Sequence, residues 1–150
     1  MIKVLLFFFL IFFDLFSKFL VKNKLELNQS IELNNFFDLV YVQNYGVSFG
    51  ILSGLISHWF LICIGLIVTL LVVYLMFISN KKSERLAYFI IIIGAISNIL
   101  DRTINTYVVD FISIHYKQLY WPAFNFADIY ITIGIIMLII SFFKVSEENK

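Results

Sequence analysis

GAISNILDRTINTYVVDFISIHYKQLYWPAFNFAD, residues 94–128, is the stretch whose reading decides the rest of the chain. Its first part is the end of an apolar helix that nevertheless carries Asn98, Asp101 and Arg102. Those three fall at i, i+3 and i+4, so one helical face is expected to present them together. Arg102 beside Asp101 suggests an ion pair that braces its surroundings. The last part opens a second apolar helix with Asn125 and Asp128, spaced like a helix cap and its partner three residues on. Between the two, TYVVDFISIHY alternates with period two, which fits an extended strand. Asp110 stands there between Val109 and Phe111, and such flanks desolvate a carboxyl and raise its pKa. Carboxylates within or beside bilayer-spanning segments are costly, so Asp101, Asp110 and Asp128 are each functional candidates. Asp110 and Asp128 lie on different elements and can meet across the loop. Two carboxyl groups sharing one proton, with water between them, make that water a nucleophile. The plain structural alternative is an acidic cap at Asp128 and a surface loop residue at Asp110.

Composition says what surrounds this stretch. Of 150 residues 61% are hydrophobic, with 18 Phe against a single Pro, and the mean hydropathy is +0.94. A soluble domain is nearer half apolar, so the excess faces lipid. The fold class expected is an integral membrane protein, mainly α, with four transmembrane helices and a small extracytoplasmic antiparallel β-sheet. A formal charge of +1, spread in small groups, leaves no nucleic-acid footprint. One cysteine, Cys63, excludes an internal disulfide, and with only two histidines a zinc site is not expected.

Spans are expected at about 2–21, 55–78, 86–104 and 125–143, with β regions at about 22–54 and 106–124, in a single membrane domain, 1–150. The first span resembles a signal peptide in its Lys3 and FFFLIFF run. It lacks a small-x-small cleavage site, however, and Asp14 and Lys18 break its far half. Four apart on one face, these two can pair and offset each other's desolvation. Residues 24–28 and 31–33 alternate, and Leu39–Val42 is β-prone, with turn signals at Asn28-Gln29-Ser30 and Asn34-Asn35. His58 and Trp59 suit a membrane interface, as do Tyr116, Tyr120, Trp121 and Phe124. The loop carrying Lys81, Lys82 and Arg85 is expected in the cytoplasm. That places both termini inside and the sheet outside; Lys22, Lys24 and Lys117 count against it.

Five ordered motifs, from Asp14 to Asp128, resemble those of the lipoprotein signal peptidase family, signal peptidase II. They are Asp14 followed by Lys18; Asn44-Tyr45-Gly46-Val47-Ser48-Phe49; Gly94 through Arg102; Val108-Val109-Asp110-Phe111; and Pro122 through Asp128. The chain departs from the family at Leu15, usually Gln; at Val47 and Ser48, usually alanines; and in a single Gly94 where two glycines are usual. The resemblance implies an aspartyl endopeptidase of the bacterial inner membrane, active at its outer face. It would remove the signal peptide of a prolipoprotein just before a diacylglyceryl-modified cysteine. Asp110 and Asp128 would activate water, while Asn44, Asn98, Arg102 and Asn125 position the substrate backbone and the pair. Asp14 and Lys18 would stabilise the helix bundle, with Asp101 a further structural polar residue. No metal or organic cofactor is implied; the partners implied are the diacylated prolipoprotein, membrane lipid and inhibitors of the globomycin type. Two other classes fit the residues alone: a proton- or ion-coupled transporter component, and a membrane adaptor that binds a partner through its sheet. The transporter predicts polar residues spread through several spans, whereas here they crowd at one end.

Overall fold

The computed structural model describes residues 2–46 and 56–148, with side chains through Lys144. Four helices form where the apolar runs predict them: α1 (Ile2–Lys24), α2 (His58–Ile78), α3 (Lys82–Asn105) and α4 (Phe126–Glu148). Each is long and apolar enough to cross a membrane, with window hydropathies of 2.4, 3.0, 1.5 and 2.3 in chain order. Their outward side chains, among them Phe8, Phe12, Ile67, Leu70 and Phe142, are exposed. That is stable only where lipid replaces water. Helix α3 is the least apolar and the most buried of the four, and it packs against α1, α2 and α4.

The α3–α4 contact is tight because small residues let the backbones approach, the usual device where both helices and solvent are apolar. A Cβ on Gly94 would overlap the Ala127 carbonyl oxygen, and one on Gly134 would lie 2.7 Å from the Ala87 carbonyl oxygen. Ala87 and Ala127 are themselves fully buried. The first turn of α4 is thereby seated on the second half of α3.

At that end of the bundle lies a four-stranded antiparallel sheet in the order β1 (Ser30–Asn34), β2 (Phe37–Asn44), β3 (Val108–Tyr116), β4 (Leu119–Tyr120). Asn34 turns the first hairpin by accepting from the Phe36 and Phe37 amides at 2.9 and 3.1 Å, which is why Asn is favoured in turns. Strand β3 has two working faces, as period-two geometry requires. Tyr107, just before it, and Val109 and Phe111 within it pack with Val21, Leu25 and Tyr41 into a small core under the end of α1. Val108, Asp110 and Ile114 face a cavity on the other side.

Two expectations need correction or restriction. Residues 24–28 do not form a strand: α1 continues to Lys24, and a turn follows in which Asn28 takes a positive φ of 64°. Lys22 and Lys24 occupy the last helical turn, where cations complement the helix dipole, and Leu25 is drawn into the core. The alternation over those residues therefore reflects a helix end and a turn. The expected start of the second span at 55, and the motif residues Val47, Ser48 and Phe49, lie outside the described residues.

Candidate active site

Helix α4 begins with a reciprocal cap. The Asp128 amide donates to Asn125 Oδ1 at 3.0 Å, and the Asn125 amide donates to Asp128 Oδ2 at 3.2 Å. Two of the helix's otherwise unpaired N–H groups are thus satisfied. The structural reading of Asp128 as a helix-start residue is correct, but it does not exhaust the carboxylate. Its other oxygen, Oδ1, accepts from Asn98 Nδ2 at 2.8 Å, and the side chain lines a cavity.

Asn125 also reaches the second carboxylate. Its Nδ2 donates to Asp110 Oδ1 at 2.7 Å, while Asn44 Nδ2 donates to Asp110 Oδ2 at 2.9 Å. The network fixes the amide orientation of Asn125, since Oδ1 must face an N–H and Nδ2 a carboxylate. Both segments are held by backbone as well: the Phe111 and Ile112 amides donate to the Phe124 carbonyl at 3.0 and 2.8 Å, and the Phe124 amide donates back to Ile112 at 3.0 Å. The chain entering α4 is therefore stitched beside Asp110, and the reading of Asp110 as a surface loop residue fails. It is buried on β3 at 3% exposure. Burial first, and the charge of Asp128 second, push its pKa up to about 7, against the opposing bonds from Asn44 and Asn125.

Beneath the cavity lies a buried ionic cluster centred on Lys18. Its Nζ donates to Asp14 Oδ2 at 2.8 Å and to Asn98 Oδ1 at 2.8 Å, and lies 3.5 Å from Asp101 Oδ2. Asp14, in turn, accepts from Ser97 Oγ at 2.6 Å and from the Ala127 amide at 2.9 Å. The Asp14–Lys18 pair expected from their spacing is present, and it ties α1 to both α3 and the start of α4. Fully buried charges persist only when paired and hydrogen-bonded to this extent.

The expected Asp101–Arg102 ion pair is absent among the described residues. Consecutive helical residues point about 100° apart, so they do not face a common partner. Asp101 turns to Lys18, to Asn105 Nδ2 at 2.7 Å and to the Val109 amide at 2.8 Å. It thereby anchors the start of β3. Arg102 turns the other way, into the cavity, where its Nη2 donates to the Asn44 carbonyl at 3.3 Å and to the Gly46 carbonyl. Its Nε is buried without a partner among the described residues.

The structure thus brings Asn44, Asn98, Arg102, Asp110 and Asp128 to one cavity of about 780 Å³. Asn125 lies behind both carboxylates, and Asp14, Lys18 and Asp101 lie below. Ser97 and Asn105 went unassigned in the sequence reading. Asn105, four residues beyond Asp101, links it to Lys22 Nζ at 2.5 Å, and helical spacing is the signal that finds it. Away from the polar end the walls are apolar: Val108, Phe124, Ile129 and Ile133 among others. Charged and apolar surfaces meeting in one cleft at the end of a helix bundle suit a chain that leaves the hydrocarbon and enters water at that point.

Comparison with known proteins agrees. The family described as "Signal peptidase (SPase) II" matches residues 6–144. A lipoprotein signal peptidase of Thermodesulfovibrio yellowstonii is 42% identical over 132 residues, covering 88% of each chain. One from Fusobacterium nucleatum is 36% identical and spans 100% of this chain and 91% of its own. A bacterial membrane enzyme solved by the in meso method at 2.3 Å superposes with a TM-score of 0.87 at 30% identity, over 99% of this chain and 91% of that one. The chain is therefore a multi-pass bacterial membrane peptidase that belongs to the signal peptidase II family.

Proposed function

We propose that this peptidase is of the aspartyl type, with Asp110 and Asp128 as its catalytic pair, and that it cleaves a diacylglyceryl-modified prolipoprotein just before the lipidated cysteine. The observation that carries the reading is Asn125, which donates to both carboxylates, through its side chain to Asp110 and through its amide to Asp128. One residue thereby holds the pair at the mouth of a single cavity. Asp110, which keeps its proton to about pH 7, is the acid. Asp128, supplied with N–H donors by Asn98 and the helix start, is the base. Water between them gives a proton to Asp128 as its oxygen attacks the scissile carbonyl carbon. The carbonyl oxygen takes the proton of Asp110, forming a neutral tetrahedral diol. Collapse breaks the C–N bond; the amine of the lipidated cysteine leaves with the proton held by Asp128, and Asp110 recovers a proton from the diol. Both carboxyl groups end as they began.

The neighbours support the same chemistry. Asn44 and Asn125 fix the plane of Asp110, and Asn98 fixes Asp128. Arg102 holds the Asn44 and Gly46 carbonyls through its Nη2 and lines the same cavity, where its charge would favour a substrate carbonyl. Asp14, Lys18 and Asp101 hold the elements that carry these groups. In the membrane, the sheet and cavity face outward and both termini lie in the cytoplasm, with the substrate's lipid and signal segment reaching the cavity from the bilayer. A cyclic peptide of the globomycin type would compete there.

The test is to mix the purified protein in detergent with a diacylated prolipoprotein and follow release of the signal peptide. Asp110→Asn and Asp128→Asn are each expected to lose nearly all cleavage, at least about 1,000-fold, while accumulating and unfolding cooperatively. The double variant should be little worse than either single, because members of one catalytic unit are not additive. Substantial turnover by either folded single variant would refute the pair.

A further inference from the structure

Hydroxyl groups inside hydrocarbon are expensive unless bonded, and among the serines and threonines of the described spans, past the first turn of each helix, all but one are bonded. In the described spans, Ser17 donates to the Phe13 carbonyl at 2.8 Å, Thr69 to Gly65 at 2.7 Å and Thr103 to Ile99 at 2.7 Å. Each uses the acceptor four residues back, the usual refuge of a helical hydroxyl. Ser97 and Ser141 bond to the carboxylates of Asp14 and Glu84. Thr132 in α4 has no hydrogen-bond partner among the described residues. It leaves the Asp128 carbonyl, four residues back, unused and is exposed to the same cavity that Asp128 lines.

Position gives this hydroxyl a use. Thr132 is one turn further into the bundle than Asp128, about 6 Å along the helix axis. Its neighbours on that wall are Ile129, Ile133 and Ile135, which accept no hydrogen bond and donate none. A peptide bond in a signal helix can be hydrolysed only after its backbone has been drawn out of the helix. Doing so strips the carbonyls on its amino-terminal side of their i→i−4 partners. At membrane depth no water replaces those partners, so the enzyme must. We propose that Thr132 is a substrate-positioning residue whose hydroxyl donates to a backbone carbonyl of the signal segment, about two residues before the cleaved bond. The spacing follows from 6 Å of depth at about 3.3 Å per extended residue. The inference rests on the proposed cleavage of a signal peptide at Asp110 and Asp128, and it adds the group that holds the unwound chain below them.

The experiment compares wild type, Thr132→Val and Thr132→Ser for KM, kcat and thermal unfolding, using a diacylated prolipoprotein in detergent. Val keeps the shape and removes the hydroxyl; Ser keeps the hydroxyl. A bond made equally in bound substrate and transition state shows in KM. Thr132→Val is expected to raise KM about five- to tenfold, the worth of one neutral hydrogen bond, with kcat within about twofold. Thr132→Ser is expected to stay near wild type. Because the hydroxyl bonds nothing among the described residues, Thr132→Val is expected to unfold at the same temperature or higher, an outcome that a structural role for the hydroxyl does not give. An unchanged KM in Thr132→Val, an equal rise in Thr132→Ser, or a lowered unfolding temperature would each overturn the assignment. If wild type releases no signal peptide, the proposed function falls and takes this inference with it. If wild type cleaves, Asp110→Asn does not and Thr132→Val matches wild type, only the role of Thr132 falls.

Discussion

Asp110 accepts two amide N–H bonds, each of which favours the carboxylate, and still holds its proton to about pH 7. Burial beside a second carboxylate outweighs two neutral donors. The unfolded chain releases that proton near pH 4, so the folded state binds it more tightly. The stability this contributes is complete below about pH 4 and is lost as pH rises through about 7. Asp110→Asn has no proton to lose, so its unfolding free energy should improve relative to wild type across that window. Expected is a gain on the order of 2–4 kcal/mol from pH 4 to pH 8, followed by unfolding in detergent at a series of pH values. A difference that stays flat with pH would show that Asp110 titrates alike in the folded and unfolded chain. At this scale, local spacing made some of the site legible and misled elsewhere. Asp14 and Lys18 are four apart on one helix and pair as spacing predicts, at 2.8 Å. Asp101 and Arg102 are adjacent in sequence but diverge around the helix, one to Lys18 and the other to the Asn44 and Gly46 carbonyls. Adjacency in sequence is a poor guide to pairing on a helix.

Helices α3 and α4 carry Asn98, Arg102 and Asp128, so their separation sets the polar end of the cavity. Gly94 decides that separation, because any side chain there meets the rigid backbone of Ala127. Gly94→Ala must push the helices apart, with an expected cost of about 1–3 kcal/mol for overpacking. It should also lose on the order of 100-fold in cleavage, as a misplacement of about 1 Å commonly does. Gly65→Ala is the matched control: its added Cβ meets only the Ile99 side chain, at 3.1 Å, which can shift. That variant should lose less than about 1 kcal/mol and keep near-full activity. Cleavage by Gly94→Ala equal to that of wild type would show that close α3–α4 packing does not position the site. The elements themselves were legible where one signal dominated. Long apolar runs gave the helices, and TYVVDFISIHY gave β3. Residues 24–28 were misread because five residues are too few to separate strand alternation from a helix end. The Phe124 bonds to β3 could not be foreseen, since nothing local distinguishes that residue from its aromatic neighbours.

The molecule as a whole is polarised along the bundle axis. One end carries the sheet, the cavity and the buried cluster around Lys18. The other carries the short link between α2 and α3, where Glu84 in the first turn of α3 gathers Ser79 Oγ at 2.8 Å, Ser141 Oγ at 3.0 Å and Lys81 Nζ at 3.2 Å, joining that link to the far part of α4. Four spans fix the two ends relative to each other but not which end faces the cytoplasm. The deciding quantity is the distribution of free cations. Lys18 is neutralised within its cluster and Arg102 is turned into the cavity, so neither contributes much to a surface count. The sheet end keeps Lys22, Lys24 and Lys117, and the loop end keeps Lys82 and Arg85, with Lys3 and Lys144 near it, while Lys81 is paired with Glu84. The margin is small, and it favours the loop end inside. Ser83 and Gln118 are exposed at opposite ends, and Cys63 is an exposed free thiol that must first be removed. On a Cys63→Ala background, Gln118→Cys should react with a membrane-impermeant thiol reagent in intact cells. Ser83→Cys should react only after the membrane is opened, and Cys63→Ala itself should retain near-full cleavage, because the thiol plays no part in activating water. Labelling of Ser83→Cys from outside would place the carboxylate pair in the cytoplasm. A substrate cleaved at the outer surface could not then reach it, and the proposed function would fail on geometry alone.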